Sequence, residues 1–270
     1  MEADGLQPPG ARAACGAAFF DLDRTLMEGS SAFQFGRAAY RAGLLGRRQL
    51  LADGWANLRF RVRGATDEDT RALLDRVSES LRGIRVRDIE RLGPDVLTGV
   101  LPRIYPQLLA VAHEHQDAGR LVYIVTAASE DLAKLLATVL TLDGAIGSHF
   151  SEAVDGVFTG RPAGVFVYGE AKARAIEELA GRERIDLNAS YAYSDSVSDL
   201  PMLRAVGNPI AVNPDKRLAA IARQEGWEML RFERLSRRLK ASVALAGAAA
   251  GGGVGSAALI ARRRSSRPGS

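Results

Sequence analysis

The chain has 270 residues, ample apolar content and both signs of charge, which is typical of a globular protein of one large or two small domains and excludes a disordered chain. A single cysteine excludes an intrachain disulfide and favours a reducing compartment. Residues 231–270 hold nine basic residues and one acidic residue, a net charge of +8, and the other residues carry −4, which gives +4 for the whole chain. The mildly acidic charge of residues 1–230 argues against nucleic-acid binding by that part of the chain.

A polar leader precedes the first predicted strand. Residues 1–14 contain Gly, two Pro and both charge signs, and we expect them to be disordered. Because Glu2 and Asp4 come first, the leader lacks the basic start of a signal peptide, and we expect a cytoplasmic protein. The apolar run Cys15–Phe20 is long enough for one buried strand and too short for a helix, which predicts that Cys15 is an inert core thiol.

Two carboxylates follow this strand. Asp21 and Asp23 are two residues apart, so both can point the same way off a strand end. A crevice at the carboxyl end of a parallel strand is the usual ligand site of an α/β protein. Two neighbouring anions repel each other and need a cation or a shared proton. The alternative is an ordinary strand-to-turn exit with solvated carboxylates, because short motifs carry a real false-positive risk.

Residues 28–102 have the apolar spacing of helices. Apolar side chains recur three or four residues apart up to Val62, and Thr66 with Asp69 has the N-cap pattern of a new helix. Residues 84–96 predict one further helix. We therefore expect an all-helical unit of about 75 residues inserted after the first strand, with a purely structural helical domain as the alternative.

The chain then returns to alternating elements. Residues 108–115 predict a helix on which His113 and His115 face different directions, so we interpret both as surface residues and not as a metal pair. The β-branched run 121–125 predicts a second strand, which Thr126 ends.

A helix over residues 129–140, an Asp-Gly hairpin over 152–161 and a helix over 170–180 come next. The last of these contains Lys172, one of four Lys among 36 basic residues. The strong preference for Arg suggests a GC-rich bacterial gene. In such a chain most cations are Arg, so a Lys at this position is unlikely to arise by chance. A compact ammonium fits a crowded anion site better than a planar guanidinium.

A third strand is predicted over residues 190–193, and a small polar segment with Asp195 and Asp199 follows it. The remaining elements are a strand at 210–212, a helix at 218–224 and a strand at 227–232. Since strands and helices alternate, we expect an α/β fold with a parallel, doubly wound sheet.

The C-terminal part is basic and rich in Ala and Gly. Residues 241–261 carry no charge, and at about 1.5 Å per residue they could span a bilayer core of roughly 30 Å. Only Val243, Leu245, Val254, Leu259 and Ile260 are strongly apolar, which makes insertion marginal. With Arg on both flanks, we expect a C-terminal anchor or weak association with anionic lipid. The alternative is a solvated linker with a basic tip.

In this order, the segments resemble the haloacid dehalogenase (HAD) superfamily of phosphatases, subfamily IB, in the branch near phosphoserine phosphatase. The DxDxT motif is Asp21 to Thr25, the Thr at a strand end is Thr126, and the single Lys of the motif set is Lys172. Asp195 and Asp199 form the acidic pair of the DxxxD pattern. Arg24 lies at a variable position of the DxDxT motif and is interpreted as a surface charge.

The resemblance implies a domain arrangement. Residues 15–27 and 103–232 would form the HAD-like, Rossmann-like catalytic core, and residues 28–102 the helical cap that closes over the site. Residues 233–270 would be the tail.

The resemblance also implies the chemistry, which is hydrolysis of a small phosphorylated metabolite. Asp21 would be the nucleophile that forms an aspartyl-phosphate, and Asp23 the general acid and base. Asp21, the Asp23 carbonyl and Asp195 would hold Mg²⁺, with Asp199 behind them. Thr126 and Lys172 would bind the phosphate.

The sequence departs from phosphoserine phosphatases where the substrate is selected. Their Glu nine residues after the nucleophile is Ser30 here, and their Ser-Gly-Gly is Thr126-Ala127-Ala128. Arg76 matches their carboxylate-binding Arg only approximately. Phosphoserine is therefore one candidate substrate among several. A phosphotransferase with the same intermediate and a membrane-attached binding protein without activity are the alternative functions.

Overall fold

The computed structural model describes residues 15–46 and 67–232. The strands within these ranges are β1 (Ala17–Phe20), β2 (Leu121–Ser129), β3 (Gly144–Ser148), β4 (Ser151–Val154), β5 (Val157–Pro162), β6 (Tyr191–Ser194), β7 (Asn208–Val212) and β8 (Glu228–Leu230). Six of them form one parallel sheet in the order β3-β2-β1-β6-β7-β8, and β4 and β5 form a separate antiparallel hairpin.

Helices connect the strands of the sheet. The α-helices of the described ranges are α1 (Ser31–Arg41), α2 (Asp67–Leu81), α3 (Val86–Glu90), α4 (Gly93–Val100), α5 (Pro106–Asp117), α6 (Glu130–Val139), α7 (Glu170–Glu183), α8 (Leu200–Arg204) and α9 (Lys216–Glu225). Short 3-10 helices occupy Leu101–Arg103, Leu187–Ala189 and Val197–Asp199. The expected α/β fold, a parallel sheet flanked by helices, is confirmed.

Strand β1 is the centre of the sheet. All four of its residues are buried, and it pairs with β2 on one side and β6 on the other, with Phe20 opposite Ile124 and Tyr193. Strands β2 and β3 lie on one side of β1, and the later strands β6, β7 and β8 lie on the other, so the strand order reverses at β1. The carboxyl end of β1 is therefore a switch point, where α/β proteins bind ligands. Asp21 is the first residue beyond that end.

The hairpin of β4 and β5 forms a sheet of its own and packs against α2. Its turn is Asp155-Gly156, with φ of 52° and 75°, as the Asp-Gly pair predicted. The backbone N–H of Gly83 donates to the Phe158 carbonyl at 2.9 Å, and that of Val86 donates to the Gly156 carbonyl at 2.9 Å. The end of α2 is therefore fixed to a hairpin from much later in the chain.

Two expectations about elements were wrong, and one strand was not predicted. The single helix over 84–96 is instead α3 and α4, because Pro94 lies in the first turn of α4 and cannot continue a preceding helix. Strand β2 continues to Ser129, so Thr126 lies inside it and does not end it. Strand β3 was not predicted, because its sequence Gly-Ala-Ile-Gly-Ser has little of the β-branched content that marks a strand.

Two side chains lie in unexpected surroundings. Cys15 is exposed and precedes β1, and its thiol donates to the Gly119 carbonyl at 2.7 Å, so it is not a core thiol. His115 is buried and not on the surface, since α5 turns it toward the sheet. Its Nε2 lies 2.7 Å from the Tyr193 hydroxyl, and its Nδ1 accepts from Arg120 Nε at 2.7 Å.

Several expectations fall on other parts of the chain. The leader at residues 1–14, the N-cap at Thr66 and the tail at 233–270 with its segment 241–261 lie outside the described residues. Within the ranges 15–46 and 67–232, no helix is both long enough and apolar enough to cross a bilayer.

Candidate active site

Asp21 stands at the end of the central strand. Its side chain is buried, and its backbone N–H donates to the Tyr193 carbonyl of β6 at 3.0 Å, which continues the sheet pairing by one residue. Its carbonyl accepts from the Leu26 N–H at 3.1 Å, which closes the turn that holds the rest of the DxDxT motif. Both backbone polar groups of Asp21, the N–H and the carbonyl, are therefore held by hydrogen bonds.

Lys172 links two of the carboxylates. It lies in the first turn of α7, it is buried, and its Nζ donates to Asp21 Oδ1 at 2.6 Å and to Asp199 Oδ2 at 2.8 Å. The Ser194 hydroxyl donates to the same Asp199 oxygen at 2.7 Å. Burial lowers the pKa of Lys172, but the charges of Asp199 and Asp21 outweigh it, so its pKa is raised and the ammonium stays charged.

Asp195 follows β6 and is buried beside Asp21. Burial and then the neighbouring charge of Asp21 raise its pKa, against the opposite effect of Arg24, to about 8. Arg24 Nη2 lies 2.5 Å from Asp195 Oδ2. Burial also raises the pKa of Asp21, to about 6, against the effect of Lys172. Both shifts reflect anions that are crowded together away from water.

Asp23 has different partners, although it is only two residues from Asp21. Its Oδ1 accepts from the Ser31 N–H at 2.8 Å, and its Oδ2 accepts from the Ser30 hydroxyl at 3.1 Å. These donors lie at the start of α1, the first helix after β1. The second carboxylate of the motif is therefore oriented by the start of α1, whereas the first contacts Lys172 of α7.

Thr126 is buried on β2, the neighbour of β1. Its hydroxyl accepts from the Ala128 N–H at 3.1 Å. The parallel register places it two residues beyond Ile124, which pairs with Phe20, so Thr126 lies at the same edge of the sheet as Asp21. This bond joins the hydroxyl to the local backbone of β2 and not to a carboxylate of the site.

The donor set fits a divalent cation. The carboxylates of Asp21, Asp23, Asp195 and Asp199 face two cations, Lys172 and Arg24, which leaves an excess of two negative charges when all are ionised. Hard oxygen ligands of this kind suit Mg²⁺, which is usually held by one or two carboxylates together with waters and phosphate oxygens. Among the described residues, no group of three His, Cys, Asp or Glu side chains could hold a metal alone, and the predicted set includes a backbone carbonyl.

Two contacts in the site were missed from the sequence. Arg24 was interpreted as a surface charge, but its guanidinium contacts Asp195. Ser30 was noted only as a departure from a related motif, but its hydroxyl contacts Asp23. For Ser30, its place immediately before α1 could have suggested a hydrogen-bonding role.

Comparisons with known proteins indicate the family to which this fold belongs. The family model for haloacid dehalogenase-like hydrolases matches residues 18–204. Phosphoserine phosphatase SerB1 of Mycobacterium tuberculosis is 39% identical over 253 residues, which cover 92% of this chain and 81% of that protein. The histidinol-phosphatase of Neisseria meningitidis is 27% identical over 220 residues, 80% of this chain and 98% of that protein. A crystal structure of a protein of unknown function from Bordetella pertussis has a TM-score of 0.71 at 27% identity, covering 81% of this chain and 99% of that one.

Proposed function

The chain belongs to the haloacid dehalogenase-like hydrolase family, as a phosphoserine-phosphatase-like phosphatase, and from that premise we propose a Mg²⁺-dependent phosphomonoester hydrolase that works through an aspartyl-phosphate on Asp21. The observation that carries the proposal is the buried Lys172, bonded at once to Asp21 and Asp199 at the end of the central strand. A buried ammonium between two carboxylates holds the nucleophile in one orientation and neutralises charge where a phosphate dianion would arrive.

In the first step, an Asp21 carboxylate oxygen attacks phosphorus while the ester O–P bond breaks. Asp23 gives its proton to the departing oxygen. In the second step, Asp23 takes a proton from a water molecule, and the water oxygen attacks phosphorus. The acyl-phosphate O–P bond breaks, inorganic phosphate leaves, and Asp21 is restored. The bonds from Ser30 and Ser31 orient Asp23 for both proton transfers.

Asp21, Asp195 and the backbone carbonyl of Asp23 are the groups that would hold Mg²⁺, with Asp199 orienting Lys172 behind them. When bound, the ion would act as a Lewis acid that neutralises negative charge on the phosphate oxygens. Thr126, at the same sheet edge, would donate to a phosphate oxygen through its hydroxyl and backbone N–H.

We propose a small phosphorylated metabolite as the substrate. One relative is a phosphoserine phosphatase and another a histidinol-phosphatase, and both names describe phosphates of small amino-acid-like alcohols. Phosphoserine is a candidate, but Ser30, with a single hydroxyl bonded to Asp23, stands where phosphoserine phosphatases have a Glu. Residues 28–102, together with the hairpin of β4 and β5, would form the cap that selects among such substrates and excludes water.

The test is turnover of a generic aryl phosphate by the purified chain. We expect hydrolysis with Mg²⁺, none after EDTA treatment, and none in Asp21→Asn, which should keep the thermal midpoint of the wild type within a few degrees. Glu177→Gln, an exposed change on α7 that also removes one negative charge, is the matched control and should keep wild-type turnover. Activity that survives in Asp21→Asn or in EDTA would contradict the proposal. A screen over phosphorylated metabolites, phosphoserine included, would then identify the substrate.

For residues 241–261 we propose, from sequence alone, an anchor or weak membrane association. Cells that express the full chain and a version ending at Arg238 would be fractionated at low and high salt. If the full chain pellets and resists high salt, the segment is an anchor. If high salt releases it, the basic flanks act alone. If both versions stay in the soluble fraction at low salt, the idea is wrong.

A further inference from the structure

Arg24 combines an unusual backbone with a contact that crosses the site. It lies between Asp23 and Thr25 with φ of 65°, the left-handed region that residues with a Cβ rarely occupy. Its guanidinium reaches Asp195 Oδ2 at 2.5 Å, although 41% of its side chain is exposed and the Asp195 side chain is buried. A residue at the rim of the site thus extends inward to a buried carboxylate.

This contact completes the pairing of the buried carboxylates. Lys172 forms ion pairs with Asp21 and Asp199, and Arg24 forms an ion pair with Asp195. A buried carboxylate without a cation is strongly unfavourable, so the Arg24 bond stabilises the folded site in the absence of a metal. The left-handed backbone conformation of Arg24 is strained. Strained conformations of this kind occur at functional sites and are maintained there by surrounding contacts.

We propose that Arg24 is a built-in competitor of the divalent cation, bound to Asp195 in the metal-free enzyme and displaced toward solvent when the cation binds. The inference rests on the proposed function, which makes Asp195 a metal ligand. A Mg²⁺ ligand distance is about 2.0–2.1 Å, so a guanidinium hydrogen-bonded to the same carboxylate would compete for its oxygens and repel the ion. Because the Arg24 side chain is half-exposed, it can leave Asp195 without being buried unpaired elsewhere.

The experiment measures Mg²⁺ binding without substrate, by isothermal titration calorimetry on chelator-treated full-length protein. Arg24→Gln removes the charge and keeps much of the side-chain length, and Arg24→Lys restores a cation. Arg41→Gln is the matched control, because Arg41 is exposed at the other end of α1, about 15 Å along the helix from Ser31. Thermal midpoints with and without Mg²⁺ give a second readout.

We expect Arg24→Gln to bind Mg²⁺ with a Kd at least about tenfold lower than the wild type, a difference of about 1.4 kcal/mol. Its thermal midpoint should also rise more on addition of Mg²⁺. Arg24→Lys should remain closer to the wild type, and Arg41→Gln should match it. If Arg24→Gln does not fold without metal, Arg24→Gly, which suits the left-handed backbone, replaces it with the same expectation.

Two results would overturn the inference, and they differ from each other. Equal or weaker Mg²⁺ binding in the Arg24 variants, with normal binding in the wild type and Arg41→Gln, removes the competition alone and leaves the metal site in place. Failure of every protein, wild type included, to bind Mg²⁺ removes the proposed metal site and the role of Arg24 with it.

Discussion

Asp21 and Asp23 are neighbours in sequence, but the fold gives them different partners. Asp21 contacts Lys172 on α7, whereas Asp23 contacts Ser30 and Ser31 at the start of α1. Lys172 lowers the pKa of Asp21 against the larger effect of burial, and so favours the anion that a nucleophile needs. The Ser30 hydroxyl and the Ser31 N–H instead fix the orientation of the Asp23 carboxylate, which suits a group that transfers a proton at a set position. The division of roles proposed for the motif therefore has a physical basis in these contacts.

This division predicts different effects on metal binding. Asp195→Asn should weaken Mg²⁺ binding by more than about tenfold, because it removes a charged ligand. Asp23→Asn should leave the Kd for Mg²⁺ within a few-fold of the wild type, because only its backbone carbonyl is proposed as a ligand, while turnover falls strongly. Titration calorimetry and aryl phosphate hydrolysis measure the two quantities. An unchanged Mg²⁺ affinity in Asp195→Asn would refute its assignment as a ligand.

Sequence reasoning could predict the acidic residues of the site, because each follows a recognisable strand in chain order. The fold brings Asp21, Lys172, Asp195 and Asp199 together, as those positions led us to expect. The contact of Arg24 with Asp195 could not be predicted in the same way, because it depends on a left-handed backbone and a long side chain crossing between two loops.

At the scale of elements, the sequence predicts best where apolar periodicity decides. Helices α5, α6, α7 and α9 lie where the apolar pattern predicted them, within a few residues at either end. The pattern fails where backbone chemistry overrides it, as at Pro94, which separates α3 from α4. It also fails at β3, where partners on β2 and α6 define a strand that its own Gly-rich sequence does not favour.

The segment before β7 packs closely against the 3-10 helix Leu187–Ala189, and this contact predicts the effect of two Gly substitutions on stability. A Cβ on Gly207, just before β7, would lie 1.9 Å from the Asn188 carbonyl oxygen, so Gly207→Ala should lower the free energy of unfolding by roughly 1–3 kcal/mol. Gly181 on α7 has nothing within 4 Å of such a Cβ, and Gly181→Ala should raise that free energy by about 0.5–1 kcal/mol. Urea unfolding measures both variants. If Gly207→Ala keeps the free energy of unfolding of the wild type, the close approach does not constrain the fold.

At the scale of the whole molecule, His115 ties the helix layer to the sheet. It lies on α5 and bonds Tyr193 of β6, whose ring stacks on Phe20 at a centroid distance of 4.2 Å. The Tyr193 carbonyl in turn accepts from the Asp21 N–H. Since Arg120 donates to His115 Nδ1, that nitrogen is an acceptor, and the neutral imidazole carries its proton on Nε2. A protonated ring would place an N–H against the Arg120 donor.

This arrangement predicts a loss of stability in mild acid. Burial, followed by the charge of Arg120, lowers the pKa of His115 from 6.5 to about 4. Between these pH values the imidazole binds a proton in the unfolded chain but not in the folded chain. The contribution of His115 to the free energy of unfolding is therefore fully present above pH 6.5 and is lost as the pH falls toward 4. Between pH 7.5 and 5, the wild type should lose about 2 kcal/mol more than His115→Gln in urea unfolding. His113→Gln, measured in parallel, accounts for the loss of an imidazole from the same helix. An equal loss in the wild type and His115→Gln would mean that His115 does not resist protonation in the folded protein.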